Sequence, residues 1–182
     1  MSKMILKKNT LIILFLLIPI LSYLGGEKNY QIWLDSLTYE TYYDYGRYYD
    51  FSYIFHNIQD PLFTFFNRIS YLWGFNFEEF CFLCAFITIT LKLISFQRAT
   101  HNFFALILLY ISYLFILHDY IQIRVALALS FVVLAIYVLR NKYIKALVLL
   151  FSLMLHFSVV LVLISYYSKN FALKINGVWG WF

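Results

Sequence analysis

The chain has 182 residues, 63% of them hydrophobic and 13% charged, with a mean hydropathy of +0.76. A soluble domain is nearer half apolar and a quarter charged, so this composition excludes an ordinary water-soluble globule and demands a hydrocarbon solvent. The net charge of +5 does not signify nucleic acid: the cations cluster in short segments between apolar runs, and no basic stripe or readout motif occurs.

The N-terminal "MSKMILKK" and the following "NTLIILFLLIPILSYL" resemble the basic and apolar regions of a signal peptide. Leu24 occupies a position where cleavage needs a small residue, so residues 9–24 are expected to form an uncleaved first span that tolerates Pro19. Residues 25–60 change character, with eight tyrosines and six acids (Glu27, Asp35, Glu40, Asp44, Asp50 and Asp60) against Lys28 and Arg47. This stretch reads as a polar, partly helical loop resting on the membrane interface through its aromatic rings.

"DPLFTFFNRISYLWGF" opens a helix over 61–77, with Asp60 placed to accept a hydrogen bond as N-cap and Pro61 suited to the first turn. Leu62, Phe65, Phe66, Ile69, Leu72 and Trp73 share one face, while Thr64, Asn67, Arg68 and Tyr71 lie towards the other. That pattern predicts an interfacial or re-entrant helix rather than a span.

Four further apolar runs, at 80–96, 102–117, 121–139 and 144–167, are separated by "QRATH", "HDY" and "RNKY". Connections this short require antiparallel neighbours. The fold class expected is therefore all-α and polytopic: a single membrane domain over 1–182 with about five transmembrane helices plus one interfacial helix. Cys81 and Cys84 have C-x-x-C spacing but no second ligand pair, so they read as buried membrane thiols, and no metal or other cofactor is expected.

Placing Lys3, Lys7 and Lys8 in the cytoplasm puts Arg98, Arg140, Lys142 and Lys145 there as well, as the positive-inside rule requires. Every acid, including Glu78, Glu79 and Asp119, then falls outside. Arg124 lies near the outer end of the fourth span, about one turn below Asp119 and Tyr120. Two readings of it stay open: a snorkelling anchor at the headgroups, or an inward fork for phosphate or carboxylate oxygens packed beside Ala126 and Ala128. His156 lies mid-span, too deep and too short to snorkel, with Ser152 one turn earlier and Ser158 two residues on. It is either a neutral histidine bonded to a neighbouring helix or a functional group. Straight-helix arithmetic sets Arg124 and His156 at different depths, roughly 5 Å and 15 Å below the surface, so no direct pairing is expected.

Asp35, Glu40, Asp44 and Asp50 show no calcium-loop spacing. The loop tyrosines, Tyr39, Tyr42, Tyr43, Tyr45, Tyr48 and Tyr49 among them, combine a flat apolar face with a hydroxyl, which suits sugar rings as well as an interfacial belt. No serine-hydrolase elbow, phosphate loop or metalloprotease motif is present.

In order along the chain, Asp35 with Tyr39, Asp60-Pro61-Leu62-Phe63, Arg124 with Ala128, and His156 with Ser158 resemble the amino-terminal half of the EpsG family. These are bacterial membrane proteins grouped with Wzy-type oligosaccharide repeat-unit polymerases. The chain departs from the family's pattern at Asp60, where glutamate is expected, and at Val125, where glutamine is common.

The resemblance implies a multi-pass protein of the bacterial inner membrane, with a cytoplasmic N-terminus, that joins glycan units carried on a polyprenyl diphosphate. Its partners would be that lipid-linked oligosaccharide, the bilayer and other polysaccharide-assembly proteins. Arg124 would stabilise the leaving diphosphate, with Arg68 second; Asp35, Asp60 or His156 would accept the acceptor's proton. Tyr39, Tyr42 and Tyr43 would contact sugar. The alternatives are a non-catalytic transport or assembly subunit, an acyltransferase acting on surface sugars through His156, and a truncated half without activity of its own.

Overall fold

The computed structural model describes residues 8–26, 34–57, 60–100 and 102–168, and every element among them is helical. In chain order these are α1 (Lys8–Gly26), α2 (Leu34–Tyr48), α3 (Phe51–Asn57), α4 (Pro61–Leu72), α5 (Phe77–Ala99) and α6 (Phe103–Leu109). A π-helical segment, Tyr110–Ile121, continues α6; then come α7 (Ile123–Tyr137), α8 (Lys142–Leu155) and α9 (Val159–Ser168).

Local chemistry explains the boundaries. Asn76 and Glu79 form a reciprocal capping box at the start of α5, while Arg98 stands in its last turn where the helix dipole favours a cation. Gly74, at φ 82°, ends α4: the Phe75 N–H reaches back to Ser70 O, closing a Schellman turn that a side chain would strain. Asn102 and Asn141 cap α6 and α8 through their side-chain oxygens.

Among the described residues, α5 alone is both long and apolar enough to cross a membrane by length and composition. It is the central post: α1 and α7 pack along it, and α8 packs on α7. Gly26 makes the α1–α5 approach possible, since a Cβ there would lie 2.7 Å from Phe82 Cα. One core gathers Phe63, Phe80, Leu127, Val132, Leu155 and Val159; a second, around Ile89, Leu93 and Tyr110, lies between α1, α5 and the π-helical segment.

Four expectations change. The stretch 25–60 is partly helical as expected, but Tyr39 and Tyr43 of α2 are buried in the first core instead of resting on the interface. The two faces of α4 do not sort as expected: Thr64, Asn67 and Ser70 are buried together with Leu62 and Phe63, while Leu72 and Trp73 are exposed. The reason is steric, because small polar side chains let α2 approach so closely that a Cβ on Gly46 would lie 2.7 Å from Arg68 N.

"HDY" is not a surface connection either. It belongs to the π-helical segment, where Asp119 is buried against Lys92 of α5. The run 144–167 is not one helix: it breaks at His156, whose backbone is extended (φ −162°, ψ 121°), and resumes as α9.

Candidate functional site

Asp60 organises the site. It precedes Pro61, which holds the first helical position of α4, and its own backbone is left-handed (φ 57°, ψ 56°). Among the described residues it is the one non-glycine with positive φ, a conformation that aspartate and asparagine adopt more readily than most. Its carbonyl accepts from Phe63 N and Thr64 N and starts the helix. The carboxylate makes no cap hydrogen bond, contrary to the capping role expected of it. The left-handed backbone turns the side chain into the bundle, where it is 2% exposed.

Two cationic or cation-capable groups meet it there. Arg124 Nη1 donates to Asp60 Oδ2 at 2.9 Å, and His156 Nδ1 lies 2.9 Å from the same oxygen. Arg124 comes from the first turn of α7 and His156 from the break between α8 and α9. The two come level through the α7–α8 register: Ser152 lies opposite Ala128, and one turn further along these antiparallel helices His156 comes opposite Arg124. Ser152 Oγ donates to Ala128 O at 2.7 Å across α7 and α8, fixing the separation of the two carriers next to the site.

The Arg124 guanidinium lies 4.3 Å from the Tyr42 ring centroid and 5.3 Å from that of Tyr39. Both rings lie within cation–π distance and hold the charged end of Arg124 inside the bundle. Arg124 Nε is buried without a hydrogen-bond partner. The snorkelling arrangement is thus replaced by an inward fork held on one side by a carboxylate and beneath by tyrosine faces. With the Nδ1 proton donated to Asp60, His156 Nε2 is left as a proton acceptor. The arrangement can therefore accept a proton and attract an anion at one place.

The remaining expected residues fall elsewhere. Arg68 donates to Gly46 O (3.2 Å) and Arg47 O (2.9 Å), tying α4 to the end of α2. The Tyr43 hydroxyl donates to Phe75 O, and its ring packs on Phe77 and Phe80. Burial, then the nearby Glu79 carboxylate, pushes that phenol above its ordinary range. Asp35 begins α2, and its side chain lies outside the described residues. Among the described residues no three His, Cys, Asp or Glu side chains converge as a metal site would require.

Sequence reasoning passed over a second buried ionic cluster. Lys92 Nζ bonds Asp119 Oδ1 at 2.6 Å, and the Tyr110 hydroxyl donates to Asp119 Oδ2 at 2.7 Å. A lone lysine in the apolar run 80–96 was the available signal. An almost wholly apolar cavity of about 240 Å³ also opens between α4, α5 and α7; Phe66, Leu83, Ile87, Leu127 and Phe131 are among its walls. Leu127 follows Arg124 by one turn.

Compared with known families, residues 11–182 match the model of the EpsG family. The match is wider than the stretch of about 35–167 over which the motifs themselves resemble it. No curated protein and no solved structure matches the chain.

Proposed function

Because the chain belongs to the EpsG family, we propose that it is a membrane glycan polymerase that transfers an oligosaccharide from a polyprenyl diphosphate to an acceptor sugar. Family membership is consistent with a membrane protein of polysaccharide biosynthesis. The observation that carries the finer reading is the convergence of Arg124 and His156 on one oxygen of Asp60.

In the proposed reaction the acceptor hydroxyl oxygen bonds to the anomeric carbon while the bond from that carbon to the phosphate oxygen breaks. The hydroxyl proton passes to His156 Nε2, and Asp60 holds the ring and stabilises the imidazolium that forms. The leaving diphosphate takes the bonding electrons, and Arg124 faces the charge that grows on it. A guanidinium already oriented by Asp60, Tyr39 and Tyr42 needs little reorganisation as that charge develops. The apolar cavity beyond Leu127 supplies hydrocarbon walls for the carrier chain.

The topology that fits is five helical crossings, formed by α1, α5, α6 with its π-helical extension, α7 and the α8–α9 pair, with α2–α4 on the outer side. It sets the N-terminus and Arg98, Arg140, Lys142 and Lys145 in the bacterial cytoplasm. Asp119 drops out of the outward acidic set, since Lys92 neutralises it inside the bundle. A discontinuous helix at the site also fits, because irregular backbone at membrane depth is tolerated where protein or a wet cavity satisfies it.

The test is polymer length in cells of the source strain lacking this chain and complemented with Arg124→Ala or Arg124→Lys. Loss of long polymer in both, at normal protein level, supports the reading; unchanged polymer removes Arg124 from the mechanism. An Asp–His pair would also serve acyl transfer, and a labelled acyl donor appearing on surface sugar would favour that chemistry instead.

A further inference from the structure

The segment Tyr110–Ile121 buries its side chains on an unusual period. Among its described side chains Tyr110, Phe115 and Asp119 are buried, at intervals of five and four residues, while Ser112, Tyr113 and Ile116 are exposed. At the 3.6 residues per turn of an α-helix, Tyr110 and Asp119 would stand on opposite sides, about two and a half turns apart. In the wider π-helix, hydrogen-bonded from i to i+5, the same nine residues make about two turns and bring both to one face. There Lys92 Nζ of α5 and the Tyr110 hydroxyl each take one oxygen of the Asp119 carboxylate, at 2.6 and 2.7 Å.

The π-helix normally occurs as single-turn bulges, so a run of twelve residues needs something to hold it. Neutralising Lys92 inside the bundle takes one carboxylate oxygen. The hydroxyl on the second oxygen does more, because it ties the start of the segment to its end, and the π winding brings it within reach. The segment then passes through Gln122 into α7, and Arg124 stands five residues after Asp119. Two ties therefore bracket the junction: Asp119 to Lys92 on α5, and Arg124 to Asp60 before α4. Rewound as an α-helix, the twelve residues would turn roughly half a turn further and grow longer. The first turn of α7 would absorb that change, because Ala126, Leu127 and Ala128 beyond it are locked in the core.

We propose that Lys92, Asp119 and Tyr110 are positioning residues for Arg124. They hold Tyr110–Ile121 in its π-helical winding, and that winding fixes where α7 begins and so where the guanidinium meets Asp60. The consequence for polymer rests on the glycan-transfer reading of that centre; the winding itself does not.

The test uses the full chain in detergent micelles, with Cys81→Ala and Cys84→Ala and with nitroxide labels on Tyr113→Cys and Tyr137→Cys. Both labelled positions are exposed and lie on either side of the junction. Pulsed electron paramagnetic resonance reads the label-to-label distance, and polymer is read in cells complemented with the unlabelled chain. Lys92→Met/Asp119→Leu removes both charges together and keeps an apolar interior, so its unfolding midpoint should approach wild type. A purely structural pair would then regain polymer along with stability. Positioning predicts instead that the distance shifts by several ångströms and polymer falls about tenfold or more, since a small misplacement of a catalytic group is costly. Tyr110→Phe deletes one hydroxyl and keeps the ring; it should move the distance in the same direction and lower polymer about three- to tenfold.

Wild-type distance and polymer in the folded double variant overturn the proposal, as they do in Tyr110→Phe where the double variant fails to fold. Arg124→Ala is the separate arm: it should keep the wild-type distance and abolish polymer. A shifted distance in the double variant, with polymer persisting in Arg124→Ala, overturns the reaction centre and leaves the winding standing. Wild-type distance or full polymer in the double variant, with polymer lost in Arg124→Ala, overturns the positioning role and leaves the reaction centre standing.

Discussion

Asp60 and His156 are ninety-six residues apart in sequence and 2.9 Å apart through Oδ2 and Nδ1. Two departures from regular structure make that contact. Asp60 takes a left-handed backbone before Pro61, and His156 leaves the helical path between α8 and α9. The left-handed backbone of Asp60 costs local stability, and both departures place a polar side chain at the point where Arg124 enters from α7.

The left-handed backbone predicts a particular order among substitutions at Asp60. Asparagine tolerates φ 57°, whereas a β-branched residue does not. Asp60→Val should be less stable than Asp60→Asn by about 1–3 kcal/mol. Thermal unfolding of the two purified variants in one detergent checks the order.

Gly46 should prove intolerant of even one methyl group. A Cβ there would lie 2.7 Å from both Arg68 N and Asn67 Cβ, and the first of these is backbone that no rotamer change moves. Gly46→Ala should destabilise the protein by about 1–3 kcal/mol by forcing α2 off α4. The midpoint of thermal unfolding reports it, with Gly46→Ser expected to fare no better.

The Lys92–Asp119 pair is predicted to behave as a buried ion pair. Lys92→Met alone leaves a buried carboxylate with only the Tyr110 hydroxyl and should cost about 3–5 kcal/mol. The double variant Lys92→Met/Asp119→Leu should recover much of that loss. A double-variant cycle on unfolding midpoints measures the coupling, and additive losses would show that the two side chains act independently.

Much of this site was legible residue by residue. Arg124 and His156 stand out as polar groups in apolar runs, and Asp60-Pro61 marks a helix start. Their convergence was not legible, because straight-helix arithmetic through 144–167 set the arginine and the histidine at different depths. The π-helical segment escaped for a related reason. "HDY" carries the composition of a loop, and only Lys92, supplied from another helix, lets Asp119 remain inside. The mixed burial of α4 shows the limit of amphipathic pattern reading in an apolar chain. Large apolar side chains face outward there at little cost, and small polar ones win the interior because α2 crosses so close.

Non-additivity at the centre tests the account most directly. Polymer formation should be measured in membranes carrying Asp60→Asn, His156→Gln and the double variant, each normalised to protein level. If Asp60 acts by holding and charging the His156 ring, each single variant should lose about 100-fold or more, and the double variant should lose little beyond the larger single loss. Losses that multiply, or full activity in His156→Gln, would contradict a shared Asp60–His156 unit.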